Sequence, residues 1–426
     1  MSILTSLFEN YYLLAIFAIV GAYVFSIRVF PTLIYLSHQK NLMAEPVERS
    51  SHTKKTPTIG GVGIFISFSL VLILFGIFTD FPKEDLIKLI TVLGASILLL
   101  FLGLKDDLLV MSPKKKFIGQ LIASLLVILA TDVRIISMEG ILGLYTLPYV
   151  VSVLFTLFVF VLIINAYNLI DGIDGLAGGI AVMVSGFFGI YFMLNDQLFM
   201  ALLSFVLIGA LCGFLEHNLS KEQKLFMEDS GSLFTGFLLA YLIVAFLNFN
   251  LTSESVYRLE NAPIVALAII AYPLFDTLRI FTVRIRQGRS PFSADKNHIH
   301  HRWLAIGLTH RAASFVIVLS SILVVIIAVM LKSFNVHVQL VLCVGLGVLG
   351  FLLPFKISGL KSNKTLGIGD DKTAKAKKQN VFAFSTTNEV EDVSLEWSNT
   401  ALKEEEKLYN EIKQRKTAKK EGSLTE

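Results

Sequence analysis

Apolar runs long enough to cross a bilayer recur along most of this chain, and that recurrence limits its fold more than any single motif. A spanning helix needs about 20 predominantly apolar residues, and inside hydrocarbon its backbone must satisfy its own hydrogen bonds. Eleven such runs stand at about residues 11–30, 60–79, 88–104, 117–131, 148–167, 176–194, 197–215, 233–249, 262–281, 312–331 and 337–354. They predict an all-α, polytopic membrane bundle of about 11 transmembrane helices. The composition agrees, with 54% hydrophobic residues among 426 and a mean hydropathy of +0.69. The run from Tyr11 to Phe30 has no basic segment before it and no small-residue cleavage site, so it reads as a retained helix rather than a signal peptide. Cys212 and Cys343 both lie inside apolar runs and read as small buried residues, with no disulfide framework or CxxC metal site.

Lys and Arg decide the orientation. The segments and helix ends after runs 1, 3, 5, 7 and 9 carry 18 of them, against five on the opposite side. Positive charge stays in the cytoplasm, so the N-terminus is expected outside and the C-terminus in the cytoplasm. The expected organisation is a transmembrane catalytic domain at 1–355 and a charged, mostly disordered cytoplasmic tail at 356–426. That tail holds 14 Lys/Arg and 12 Asp/Glu and has too few apolar residues for a core. Within it, Leu395 to Lys416 has helical spacing and reads as a solvated charged helix. No fixed-period repeat is visible, which argues weakly against repeat-built transporter folds.

Five segments on the expected cytoplasmic side concentrate the chemistry. Residues 164–179 read INAYNLIDGIDGLAGG, with Asn165, Asn168, Asp171 and Asp174 recurring every third residue at the end of an apolar helix. Such amides and carboxylates are oxygen ligands suited to Mg²⁺ and, through it, to phosphates; a cap and turn cluster is the alternative. Asp106 and Asp107 are adjacent carboxylates, which repel unless a cation or proton intervenes, making one of them a candidate base or metal ligand. Lys105 and Lys114 to Lys116 stand ready to neutralise them or to meet acidic lipid headgroups.

The segment from Glu45 to Gly63 joins Arg49, His52, Lys54 and Lys55 to three glycines that let backbone approach a ligand, although the charges also serve as topology determinants. In MEDSGSLFTG, Asp229 precedes Ser230, Gly231 and Ser232 at an expected helix N-terminus, where free N–H groups favour anions. Finally, PFSADKNHIHHR gathers His298, His300, His301, Arg302 and Lys296 into a donor-rich cluster that fits a pyrophosphate better than Zn²⁺. Asp276 is the only acid well within an apolar run, and its expected partner is Arg279.

NAYNLIDGIDGL, GLKDD, the ERxxH and TPxxGG segment, EDSGSLF and ADKNHIHHR, in these positions, resemble the polyprenyl-phosphate N-acetylhexosamine-1-phosphate transferases over roughly residues 28–311. The resemblance implies transfer of a sugar 1-phosphate from a UDP-sugar to undecaprenyl or another polyprenyl phosphate, with release of UMP, at the cytoplasmic face of the inner membrane. It implies Mg²⁺ as cofactor, with Mn²⁺ as a substitute, and Asn168 and Asp229 as metal ligands. Asp106 or Asp107 would keep the lipid phosphate deprotonated, and His298, His300, His301 and Arg302 would hold donor phosphate and stabilise charge. Arg49, His52, Asp171 and Asp174 fall on substrate-binding positions.

The ADKN before HIHH resembles the branch that uses UDP-N-acetylglucosamine rather than the muramoyl-pentapeptide donor. The implied role is the first membrane step of cell-envelope glycan synthesis. Expected partners are the UDP-N-acetylhexosamine, the polyprenyl phosphate and the membrane; a homo-oligomer is compatible, and nucleic acid is not expected. One departure stands out: Glu228 occupies a position where the family usually has glycine. A transporter or a non-enzymatic scaffold is the alternative from another class.

Overall fold

Each of the eleven apolar runs falls on helix in the computed structural model, which describes residues 11–40, 42–44, 56–109, 111–288 and 298–365. The chain divides into two units, Met1–Leu360 and Lys361–Glu426, and the site lies within the first. Arg49, His52, Lys296 and the expected tail helix lie outside the described residues.

The helices are α1 (Tyr11–Lys40), α2 (Gly60–Phe78), α3 (Lys83–Leu109), α4 (Pro113–Thr131), α5 (Tyr149–Ile170), α6 (Leu176–Leu194), α7 (Leu198–Asn218), α8 (Glu228–Thr252), α9 (Ala262–Ile269), α10 (Ala271–Arg286), α11 (Ile299–Ala305), α12 (His310–Met330) and α13 (Val336–Thr365). A two-stranded antiparallel ribbon, β1 (Met43–Ala44) with β2 (Thr56–Pro57), precedes α2.

The protein is an all-helical, multi-pass membrane protein. Among the described residues, eight helices are long and apolar enough to cross a membrane, nine if the bent pair α9–α10 forms one span. The estimate of eleven is therefore not reached on length and composition. The first turn of α4 holds three lysines, Lys114 to Lys116, and the apolar part of α13 is short, Val336–Phe351. Between α9 and α10 the chain bends by 67°. Pro273 lies just beyond, and a proline there cannot donate to the carbonyl of Ile269 four residues back, so one continuous helix is disfavoured.

The bundle is organised around α8. Its apolar window is 83% buried, against 33% for α1, α3 and α12, so α8 is the protein-surrounded helix and the others present one side to lipid. It packs against α2, α3, α5 and α6. Its far end is filled by aromatic contacts, with Tyr191 edge-on to Phe246 at 4.7 Å and its hydroxyl donating to Asn250 Oδ1 at 2.8 Å. Its near end begins at Glu228, and there the polar residues collect.

Candidate active site

The chain enters α8 through Glu228, whose φ of +52° lies in the left-handed region. That conformation explains why glycine suits the position, since a side chain there carries steric strain. The first turn of a helix leaves N–H groups without intrahelical acceptors. Here Asp229 N–H donates to Asp107 Oδ1 and Ser230 N–H to Asp107 Oδ2, both at 3.0 Å, while the Glu228 N–H donates to the Asp171 carboxylate. Carboxylates from two other segments thus occupy the positive end of α8, correcting the expectation that these donors stand free for a substrate anion.

The approach of those segments requires glycine. A Cβ on Gly61 would lie 2.1 Å from the Gly231 nitrogen, and one on Gly103 would lie 2.4 Å from the Asp229 carbonyl oxygen. The glycines of the TPxxGG segment were expected to admit a ligand to the backbone. Gly60 and Gly61 instead admit the chain before and at the start of α8, and the Gly60 N–H donates to the Phe226 carbonyl at 3.0 Å.

Beside this junction, Lys116 of α4 lies between Asp106 and Asp229. Its ammonium is 3.3 Å from Asp106 Oδ2 and also bonds Asp229 Oδ2. The other Asp106 oxygen accepts the Met111 N–H. The Asn168 amide donates to Asp229 Oδ1 at 2.6 Å and to Ser232 Oγ at 2.7 Å. Lys116 and Ser232 were not singled out by the sequence as site residues, although neutralisation of the aspartates by the lysine run was one of two expected uses.

Among the described residues no group of three or more His, Cys, Asp and Glu side chains is arranged to hold a metal. Mg²⁺ needs fewer, because it is commonly held by one or two carboxylates with substrate phosphates and water completing its shell. Two carboxylates converging on one cation, with the Asn168 amide adjoining, fit that requirement in donor chemistry.

The four polar residues of the 164–179 segment do not form one ligand set. Asn165 pairs with Gln120 through reciprocal amide bonds of 2.7 and 3.3 Å, facing α4. Asn168 turns to Asp229. Asp171 caps the Glu228 N–H; burial first, then the charges of Asp229 and Asp107, push its carboxyl up to about 7. Asp174 lies 2.6 Å from Lys224 Nζ and 3.2 Å from His310 Nδ1. Burial alone would raise its carboxyl, but bonds to His310 and Lys224 prevail and hold it below the usual range. Asp174 thereby ties the loop after α5 to the segments before α8 and at the start of α12.

The histidine run lies across the same loop. His298 Nδ1 is 2.7 Å from Asp276 Oδ2, and the Ile299 N–H donates to Asp276 Oδ1 at 3.0 Å. Arg279 also reaches Asp276, at 3.4 Å, as its spacing implied; the histidine contact carried no such local signal. The His298 ring stacks on that of His300 at 5.3 Å, and His301 lies 4.4 Å from His300. Arg302 rests over the Phe355 ring at 5.2 Å.

His300 is 1% exposed, and neither ring nitrogen has a hydrogen-bond partner. Burial, followed by repulsion from His301 and His298, pulls its imidazole well below the ordinary value and keeps it neutral near pH 7. A Cβ on Gly172 would come within 2.4 Å of His300 Nε2, so the glycine after Asp171 makes room for the imidazole. His298, His300 and His301 are thus brought together against the loop that carries Asp171.

Residues 89–247 match the model of glycosyl transferase family 4. The chain is 35% identical over 298 residues to the probable undecaprenyl-phosphate N-acetylglucosaminyl 1-phosphate transferase of Bacillus subtilis, covering 70% of this chain and 79% of that protein. It is 34% identical over 296 residues to the decaprenyl-phosphate N-acetylglucosaminephosphotransferase of Mycolicibacterium smegmatis, covering 65% and 72%. It is also 30% identical over 340 residues to the undecaprenyl-phosphate alpha-N-acetylglucosaminyl 1-phosphate transferase of Escherichia coli O157:H7, covering 77% and 88%.

Proposed function

The chain belongs to the polyprenyl-phosphate N-acetylhexosamine-1-phosphate transferase family, and from that premise we propose that it transfers N-acetylglucosamine 1-phosphate from its UDP-sugar to undecaprenyl or another polyprenyl phosphate. The observation that carries this proposal is the meeting of Asp106, Lys116, Asn168 and Asp229 at the start of α8, from four different helices.

Two phosphates must approach each other, and their repulsion has to be offset by nearby positive charge. Asp106 is the carboxylate that keeps the lipid phosphate free of its proton. A lipid phosphate oxygen forms a bond to the β-phosphorus of the donor, the bond from that phosphorus to the oxygen of UMP breaks, and UMP leaves with the electron pair. Lys116 offsets charge on the phosphates, and His298, His301 and Arg302 bind the donor phosphates. Neutral His300 supplies a hydrogen bond rather than a charge. Asp107 keeps the first turn of α8 in place and is not the base.

Asp229 and Asn168 would hold Mg²⁺ or Mn²⁺. When bound, the metal supplies charge compensation for the phosphates and for the departing UMP. Arg49, His52 and Asp174 belong to the substrate side, with Asp174 acting through the loop it ties down. The active site faces the cytoplasm, the N-terminus lies outside, and eleven helices cross the cytoplasmic membrane, an orientation supported by the 18-to-five distribution of Lys and Arg.

Purified protein in nanodiscs with the UDP-sugar should release UMP only when both polyprenyl phosphate and Mg²⁺ are present, and chelation should stop it. Release without the lipid would indicate a hydrolase. No release under any of these conditions would favour a transporter or scaffold.

A further inference from the structure

We propose that Asp276 is a positioning residue for the transfer reaction, fixing the tautomer and angle of His298 so that its Nε2 is presented to the donor phosphates. The inference rests on the proposed transferase activity for its kinetic part. Its structural part stands on the α10–α11 geometry alone.

Asp276 is 1% exposed on α10, an expensive place for a carboxylate unless its oxygens are bonded. Both oxygens are: one takes His298 Nδ1 at 2.7 Å, and the other takes the Ile299 N–H at 3.0 Å. It therefore grips both the side chain of His298 and the backbone where α11 begins. Further polar neighbours of the carboxylate among the described residues include Arg279 at 3.4 Å, the Tyr272 ring one turn earlier and His300.

A histidine whose Nδ1 is held by a carboxylate keeps its proton there, leaving Nε2 as the ring nitrogen that can meet a ligand. The contact also propagates. The His298 ring is stacked within 5° of the His300 plane, and His300 sits in the gap left by Gly172, so the orientation set at Asp276 carries through two imidazoles to the loop bearing Asp171.

The experiment compares wild type, Asp276→Asn, His298→Gln and the double variant, full length in nanodiscs. Asp276→Asn keeps an acceptor for Ile299 but loses the carboxylate. Each single variant should lower kcat by roughly tenfold or more, and the double variant should be no worse than His298→Gln alone. Losses that multiply would overturn the inference, because a residue acting only through His298 has nothing further to lose once His298 is gone.

A readout independent of turnover is the ¹H–¹⁵N signal of the His298 ring N–H bonded to carboxylate, identified as the one that His310→Gln retains, since His310 Nδ1 also lies against a carboxylate, that of Asp174. It should be downfield-shifted in wild type and absent from both single variants. Its absence from wild type, or its survival in His298→Gln, would overturn the inference even if transfer succeeds, and the second criterion holds if Asp276→Asn does not fold. A wild type that shows the signal but releases no UMP would refute the transferase assignment and leave the Asp276–His298 pairing standing.

Discussion

The carboxylate of Asp107 accepts the backbone N–H of Asp229 at 3.0 Å across 122 residues of sequence, and with its second oxygen it accepts that of Ser230. This bidentate cap separates two neighbouring aspartates into different tasks. Asp107 builds the first turn of α8, and Asp106 faces Lys116.

The division predicts two distinct failures. Asp107→Asn replaces one acceptor by an amide donor opposite a backbone N–H, and should cost about 2 kcal/mol of stability along with activity. Asp106→Asn should leave the thermal midpoint close to wild type while abolishing UMP release. Thermal unfolding in detergent with parallel turnover assays checks both. Equal stability losses for the two variants would remove the distinction.

Glu228 pays a backbone cost at its φ of +52°. Replacing it with glycine should stabilise the protein by about 1–2 kcal/mol, whereas Glu228→Ala should not, because alanine keeps the Cβ. Thermal unfolding of the two variants in detergent tests this, and a Glu228→Ala protein as stable as Glu228→Gly would contradict the backbone account.

Much of this was readable in the sequence and some was not. Apolar length gave the helices, and the run NAYNLIDGIDGL marked the loop that borders both the aspartate and histidine groups. Its three-residue spacing suggested one ligand set. The helix ends at Ile170, so Asn165 remains on a packed face against Gln120 while Asp171 and Asp174 turn toward different partners. The lysine run beside Asp106 was legible as a source of neutralising charge, but that Lys116 also reaches Asp229, 113 residues on, was not, because no local pattern encodes a contact between distant helices. Asp276 did carry a signal, as an acid inside an apolar run, but the nearby Arg279 offered a sufficient local partner and masked the histidine.

Burial raises Asp171 from its ordinary carboxylate value to about 7, which gives stability a pH dependence. Between about pH 4 and 7 the folded state retains this proton while the unfolded chain has lost it. Stability of the metal-free protein should therefore fall as pH rises through that window and level off above it. Asp171→Asn should flatten this slope. Melting curves at pH 5 and 8 in the presence of a chelator test it, and an unchanged slope in the variant would place the titrating group elsewhere.

Lys116 neutralises Asp106 and Asp229 in the structure. Lys116→Met should destabilise the metal-free protein by about 2 kcal/mol, since it leaves two half-buried carboxylates facing each other. Saturating Mg²⁺ should then stabilise the variant more than it stabilises wild type. A metal-free variant as stable as wild type would mean that the lysine is not holding the pair together.

The central claim, that the residues at the start of α8 carry out sugar-phosphate transfer to a lipid, is tested most directly by following phosphorus. With the UDP-sugar radiolabelled at its β-phosphorus, purified protein in nanodiscs should move the label into the organic-extractable polyprenyl product in step with UMP release. Asp229→Asn, with its melting temperature near that of wild type, should move none. Label that stays water-soluble in wild type, or that reaches the lipid equally well in folded Asp229→Asn, would contradict the account.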